Sequence, residues 1–141
     1  MSEHNSFETA VAAIGRNPPD VDAQCFGFHL LIDASACDPL RVGHQANLQE
    51  MITALADCIE TDDNRDAIIE HLNADDRVGA ACSLVRMSGS TSIAGHFIAN
   101  GAVACMDVFS VRPFDVEAVR DIVERYLLPV STRVTCVRRQ T

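Results

Sequence analysis

Ser92-Ile93-Ala94-Gly95-His96-Phe97-Ile98, then Asn100-Gly101, then Ala102-Val103-Ala104-Cys105-Met106-Asp107-Val108-Phe109 is the stretch whose reading decides the fold. Asn-Gly between two short apolar runs is a strong hairpin signal, because both residues tolerate the positive φ that a tight turn demands. The stretch therefore predicts two antiparallel strands. Immediately upstream, residues 78–87 read as a further strand with small side chains, and Ser88-Gly89-Ser90-Thr91 interrupts the apolar pattern as a polar loop. Further out, Phe26-Gly27-Phe28-His29-Leu30-Leu31-Ile32-Asp33 is short and apolar and runs into a polar turn, which predicts another strand.

Two segments have helical spacing instead. Leu48, Met51, Ile52, Leu55 and Ile59 fall on one face of a helix over residues 46–59, and Val116, Val119, Ile122, Val123 and Tyr126 do the same downstream. Asp115 is placed to cap the second helix and Pro129 to stop it. Residues 131–137 alternate as a closing strand, whereas Ile68, Ile69 and Leu72 suit either a helix or a strand. Strands joined by hairpins and interleaved with two long helices imply an α+β class. The expected architecture is a two-layer sandwich, an antiparallel sheet with two main helices on one face. Residues 1–24 are polar and end in Asn17-Pro18-Pro19-Asp20. They read as a flexible arm, with a short helix over residues 7–14 on the spacing of Phe7, Val11 and Ile14, ahead of a single domain over 25–141.

The chain of 141 residues carries 20 acidic and 11 basic positions, a formal charge of −9, and every basic residue is arginine. Without lysine there is no Schiff-base lysine, no P-loop lysine and no chemistry that depends on an ε-amine. A charge this negative disfavours nucleic acid, whose binding needs phosphate neutralisation, and acidic membrane surfaces. No apolar run reaches the length of a membrane helix, and no basic segment precedes an apolar one at the N-terminus, so a cytoplasmic protein without membrane insertion is expected. The six cysteines (Cys25, Cys37, Cys58, Cys82, Cys105, Cys136) are scattered. They read as reduced thiols, with Cys82 and Cys105 pointing into the core. No histidine lies at ligand spacing from a cysteine, so no metal is expected, and Asp62-Asp63 and Asp75-Asp76 read as solvated turns rather than calcium ligands. His29 and Asp33, four apart on one strand face, suit either an acid–base pair or a structural role at the strand end, and the structural role is preferred. Residues 88–92 suit either a small-anion nest or a plain polar loop.

Three segments together resemble the bacterial S-adenosylmethionine decarboxylase family. His29-Leu30-Leu31-Ile32-Asp33 followed by Cys37-Asp38-Pro39 is similar to that family's opening HLLID…GCDP strand and turn. His96, with Asp107-Val108-Phe109 eleven residues on, matches the spacing of its central ESHxSIHTWPE…DVFTCG block. The closing helix and strand resemble its C-terminal end. The resemblance covers about residues 25–139 and implies a two-layer α+β sandwich, usually dimeric. It also implies a chain that cuts itself before a serine, converts that serine to a pyruvoyl group and uses it to decarboxylate S-adenosylmethionine for spermidine synthesis.

Carried over from the His96 anchor, the family's cleavage serine falls on Thr91 and its preceding glutamate on Ser90, so the cleavage-equivalent bond is Ser90–Thr91. The histidine after that serine becomes Ser92, the glutamate of HTWPE becomes Asn100, and the proton-donating cysteine of DVFTCG becomes Val111, with Arg112 for its glycine. His96, linked in the family to self-processing, stays in register. A one-residue slip would set Ser90 or Ser92 at the cleavage position and spoil the His96 spacing. Elimination from threonine would leave a ketobutyryl cap, and valine cannot deliver a proton.

The expectation is a non-cleaving, catalytically degenerate member with a binding, regulatory or assembly role, as a homodimer or as the non-catalytic partner of another protein. Thr91 and His96 are then family-equivalent but inactive, and Ser90, Ser92 and Asn100 are ligand-binding candidates for S-adenosylmethionine or a polyamine. The alternative is an active, self-processing decarboxylase using Thr91 or a neighbouring serine, and only that reading requires the pyruvoyl cofactor.

Overall fold

The computed structural model describes residues 25–59, 68–75, 79–88 and 90–140. The elements run β1 (Cys25–Ser35), α1 (Pro39–Val42), α2 (Gln45–Ile59), β2 (Ile68–Asp75), β3 (Gly79–Met87), β4 (Thr91–Ile98), β5 (Val103–Ser110), α3 (Val116–Leu127) and β6 (Ser131–Gln140). The six strands form one sheet in the order β2-β3-β4-β5-β1-β6, and every pairing is antiparallel. The α+β sandwich expected from the sequence is the fold observed. The arm, the helix over residues 7–14 and the Asp62-Asp63 turn lie outside the described residues.

The hairpin at Asn100-Gly101 is present, with a four-residue connection: Ile98 pairs with Val103, and the Ala102 N–H donates to the Ala99 carbonyl at 3.0 Å. Gly101 takes φ 92° and Ala102 φ 51°, so the chain enters the left-handed region at two consecutive positions rather than at Asn100. The ambiguous segment at residues 68–75 is a strand on the β3 edge, with Ile68 opposite Val85 and Leu72 opposite Ala81. Its local pattern suited either state, and pairing with β3 selects the extended one.

Alternation along each strand sorts the side chains onto two faces. Phe28, Leu30, Ile32 and Ala34 of β1, Cys82 and Leu84 of β3, Ile93 and Phe97 of β4, and Ala104, Met106 and Val108 of β5 are buried on one face. Leu48, Met51, Ile52 and Leu55 of α2 and Val116, Val119, Ile122, Val123 and Leu127 of α3 are buried with them in one core. Each fully buried leucine, isoleucine or phenylalanine contributes about 1.5–3 kcal/mol relative to an exposed one.

The helices end where the sequence sets them. Asp115 caps α3, its carboxylate accepting from the Ala118 N–H at 3.0 Å, and Leu128 closes it in the left-handed conformation before Pro129. Asp38 caps α1 ahead of Pro39. The Asn47 side-chain amide donates to the carbonyls of Arg41 and Tyr126, tying the ends of α1 and α3 to the start of α2.

Cys37, Cys58, Cys82, Cys105 and Cys136 are free thiols. Cys82 is buried as expected, but Cys105 is exposed, which corrects its assignment to the core. Cys105 is one step along β5 from the buried Ala104 and Met106, so the pleat turns it to the other face. Burial pushes all five thiols up from their ordinary value, Cys136 to about 11, and at Cys105 the Asp33 carboxylate adds to the shift.

Two predictions follow from this packing. The Phe97 ring folds back over Gly95, where an added Cβ would meet its Cε2 and Cζ at 2.6 Å, and the buried ring has no room to retreat. Gly95→Ala should therefore cost about 1–3 kcal/mol, read as a lower urea midpoint with an unchanged slope. Because the thiolate is the reactive form, raised thiol pKa values mean slow labelling at neutral pH. Mapping by mass spectrometry with a disulfide reagent should show Cys58 modified ahead of the buried thiols, at a rate rising steadily from pH 7 to 9. Cys37, Cys82 and Cys136 should follow only on unfolding.

Candidate functional site

The bond that the sequence singled out, Ser90–Thr91, sits at the β3–β4 hairpin. Ser88 closes that hairpin from its own side: its N–H donates to the Thr91 carbonyl at 2.8 Å, and its Oγ accepts from the Thr91 N–H at 3.1 Å. The Ser90 carbonyl accepts from the Val111 N–H at 3.0 Å. Both polar groups of the Ser90–Thr91 peptide are therefore held, by a hydroxyl on one side and by a backbone amide on the other.

Thr91 opens β4 on the covered face and is 3% exposed. Its hydroxyl donates to Ser110 Oγ at 3.4 Å, and Ser110, itself buried, also accepts from the Arg112 N–H at 3.1 Å. The two hydroxyls are the buried polar side chains of the described core. Val111 is half-exposed and aliphatic.

His96 lies five residues further along β4, about 17 Å at strand rise, and on the opposite face of the sheet. There its Nδ1 is 2.9 Å from Ser83 Oγ, and its partner across the strand pair is Cys105. Ser92 is on this open face, directly opposite Phe109 and next to Met87 across the other pairing. Ser90 is partly buried beside the hairpin, while Asn100 is exposed in the turn at the far end of β4. The structure thus brings Ser90, Thr91 and Ser92 together at one end of the sheet and leaves His96 and Asn100 elsewhere.

His29 and Asp33 share the open face, but they do not pair with each other. His29 Nε2 is 3.0 Å from Asp107 Oδ1, and Asp33 sits opposite Cys105. The His29–Asp107 pair joins residues 78 apart in sequence. Alternation within β1 and β5 puts each side chain on the open face, but only the β1–β5 register sets them side by side. A groove of about 750 Å³ runs along α2 past Glu50, Thr53 and Asp57 to Arg86 and Tyr126. Among the described residues no group of three or more His, Cys, Asp or Glu side chains is placed to hold a metal ion, and no helix is long and apolar enough to cross a membrane.

No curated protein matches the chain. Among solved structures, the crystal structure of the adenosylmethionine decarboxylase from Aquifex aeolicus VF5 is similar, with a TM-score of 0.69 at 16% identity over 84% of this chain and 94% of that one. At that identity the likeness establishes the sandwich, not the chemistry. The family model of S-adenosylmethionine decarboxylase matches residues 28–140. That span takes in the opening strand, the hairpin with its held peptide and both long helices, and it places this chain in the S-adenosylmethionine decarboxylase family.

Proposed function

We propose that this chain is a non-cleaving, catalytically inactive member of its family that acts by binding or assembly. The observation that carries the reading is the setting of Thr91. Its hydroxyl is buried against the neutral Ser110 hydroxyl, and among the described residues neither a carboxylate nor an imidazole is bonded to it. Self-processing asks that hydroxyl to lose its proton as it attacks the preceding carbonyl, and a second hydroxyl is a poor base for that step.

Threonine also does not fit a pyruvoyl group, since elimination from it leaves an extra methyl on the cap in a closely packed site. The acid position is filled by Val111, which has no proton to give. One observation favours the alternative, an active self-processing decarboxylase of polyamine synthesis. The Val111 N–H already donates to the Ser90 carbonyl, as a donor to a developing oxyanion would.

The surface for assembly is the open face of the sheet, and we assign it to a second copy of this chain. Val85 and Met87 on β3 and Val137 on β6 are 41%, 59% and 43% exposed there, towards opposite sides of the sheet, with the partly buried Leu31 and Phe109 between them. Charges of both signs lie among them: Asp33 and Asp107 with His29, Arg133 and Arg139. A face carrying both signs can meet its own copy across a two-fold axis with opposite charges together. The dimeric habit of the family supports the same occupant. A pairing with an active homologue through this face is the other form of the assembly role.

The test is the intact mass of the freshly purified chain, with light scattering for its assembly state. One full-length mass and a dimer are expected. Two fragments divided at Ser90–Thr91, with a carbonyl cap trapped by reductive amination, would establish the active alternative.

A further inference from the structure

We propose that residues 1–24 fold back over the rim of the sheet where β1 starts, seating Phe7, Val11 and Ile14 on Phe26, Met87 and Val111, so that the chain's own arm covers the Ser90–Thr91 hairpin.

The rim is the end of the sheet at which β1 and β4 start and β3, β5 and β6 finish: Phe28 pairs with Ser110 and Arg138, Thr91 with Ser110, and Ser92 with Met87. Phe26 stands there outside the ladder. Cys25 pairs with Gln140 and Gly27 with Arg139, so Phe26 is the extra residue of a bulge, and it is 55% exposed. Met87, the last residue of β3, and Val111, just past β5, are exposed beside it on the same rim. Val85 and Val137, also exposed, lie in the half of their strands nearest the rim, whereas the exposed Leu40, Leu128 and Val130 belong to the far end.

Charge selects the occupant. The stretches that meet at the rim, 25–32, 84–94, 108–112 and 134–140, contain Arg86, Arg112, Arg138 and Arg139 and no aspartate or glutamate. Arg112 and Arg139 are exposed, and the ion pairs among the described residues leave both out. Two such rims brought together would repel, so a second copy is a poor cover for this end. Residues 1–24 carry Glu3, Glu8, Asp20 and Asp22 against Arg16 alone, with Phe7, Val11 and Ile14 at helical spacing among them.

The arm also joins the sheet at the right place. It enters at Cys25, beside Phe26, and the stretch from Gly15 to Gln24 spans up to roughly 33 Å when extended. Met87 lies three strand spacings from β1, roughly 14 Å away. A short tether holds the arm near the rim at a roughly millimolar effective concentration, so a few apolar side chains suffice for docking. The strap takes only the rim, and the middle of the open face, with Leu31 and the charged rows, remains for a second copy.

Met87 is the reporter, because peroxide oxidises an exposed thioether and Met51 and Met106 are buried. The rate of sulfoxide formation at Met87, read by peptide mass spectrometry, is compared in the full chain and in the double variant Phe7→Ser, Ile14→Ser over a series of protein concentrations. Circular dichroism confirms that the fold is kept. The variant should oxidise at least about fivefold faster, the ratio expected when the docked arm is roughly four-fifths populated. The rate of the unaltered chain should not change on dilution. Equal rates in the two proteins overturn the inference. Protection that both proteins share and lose on dilution belongs to a second copy, which overturns the strap and leaves the pairing standing. A difference between the two that vanishes on dilution places the arm on a neighbouring copy and overturns the cover by the chain's own arm.

Discussion

The contact between the α2–α3 helix pair and one side of the antiparallel sheet is the constraint on which the rest of this structure depends. A pleated strand must send alternate side chains to opposite sides. Once Phe28, Leu30, Ile32, Met106 and Val108 are packed under the helices, the fate of their neighbours is decided. His29, Leu31, Asp107 and Phe109 are forced onto the other side, where no described helix covers them. The molecule has one closed face, which holds it together, and one open face, which carries most of its unusual chemistry.

That division bears directly on the relation between this chain and its family. Thr91 falls on the closed face, where its hydroxyl is matched with that of Ser110 and serves as an internal hydrogen bond in an apolar setting. Burying two hydroxyls together satisfies each of them, whereas burying one alone would leave an unpaired polar group. The Ser90–Thr91 peptide is pinned at both its N–H and its carbonyl.

The open face has the opposite character. Its histidines, carboxylates and thiol are interleaved with exposed valine and methionine and with the partly buried Leu31 and Phe109, a mixture that is costly to leave in water and costly to bury without charge compensation.

Much of this was legible in the sequence. The Asn100-Gly101 turn, the caps at Asp115 and Pro129 and the helical spacing of Leu48 to Leu55 are local signals, and local sterics and hydrogen bonding suffice to enforce them. The His96 and Asp107 spacing pointed to the family. What could not be read was anything that depends on which strands become neighbours. The segment at 68–75 became a strand because β3 offered it an edge. Cys105 went to the open face because the pleat of β5 was fixed by Met106 and Val108 packing under the helices, and a one-residue difference reverses a side chain's direction. His29 found Asp107 rather than Asp33 because strand order set β1 beside β5. The sequence by itself determined the elements and their ends, since those are decided within a few residues of chain. Only the tertiary structure decided which face each reactive side chain occupies and what it touches, since register and face are properties of two strands together and belong to neither alone.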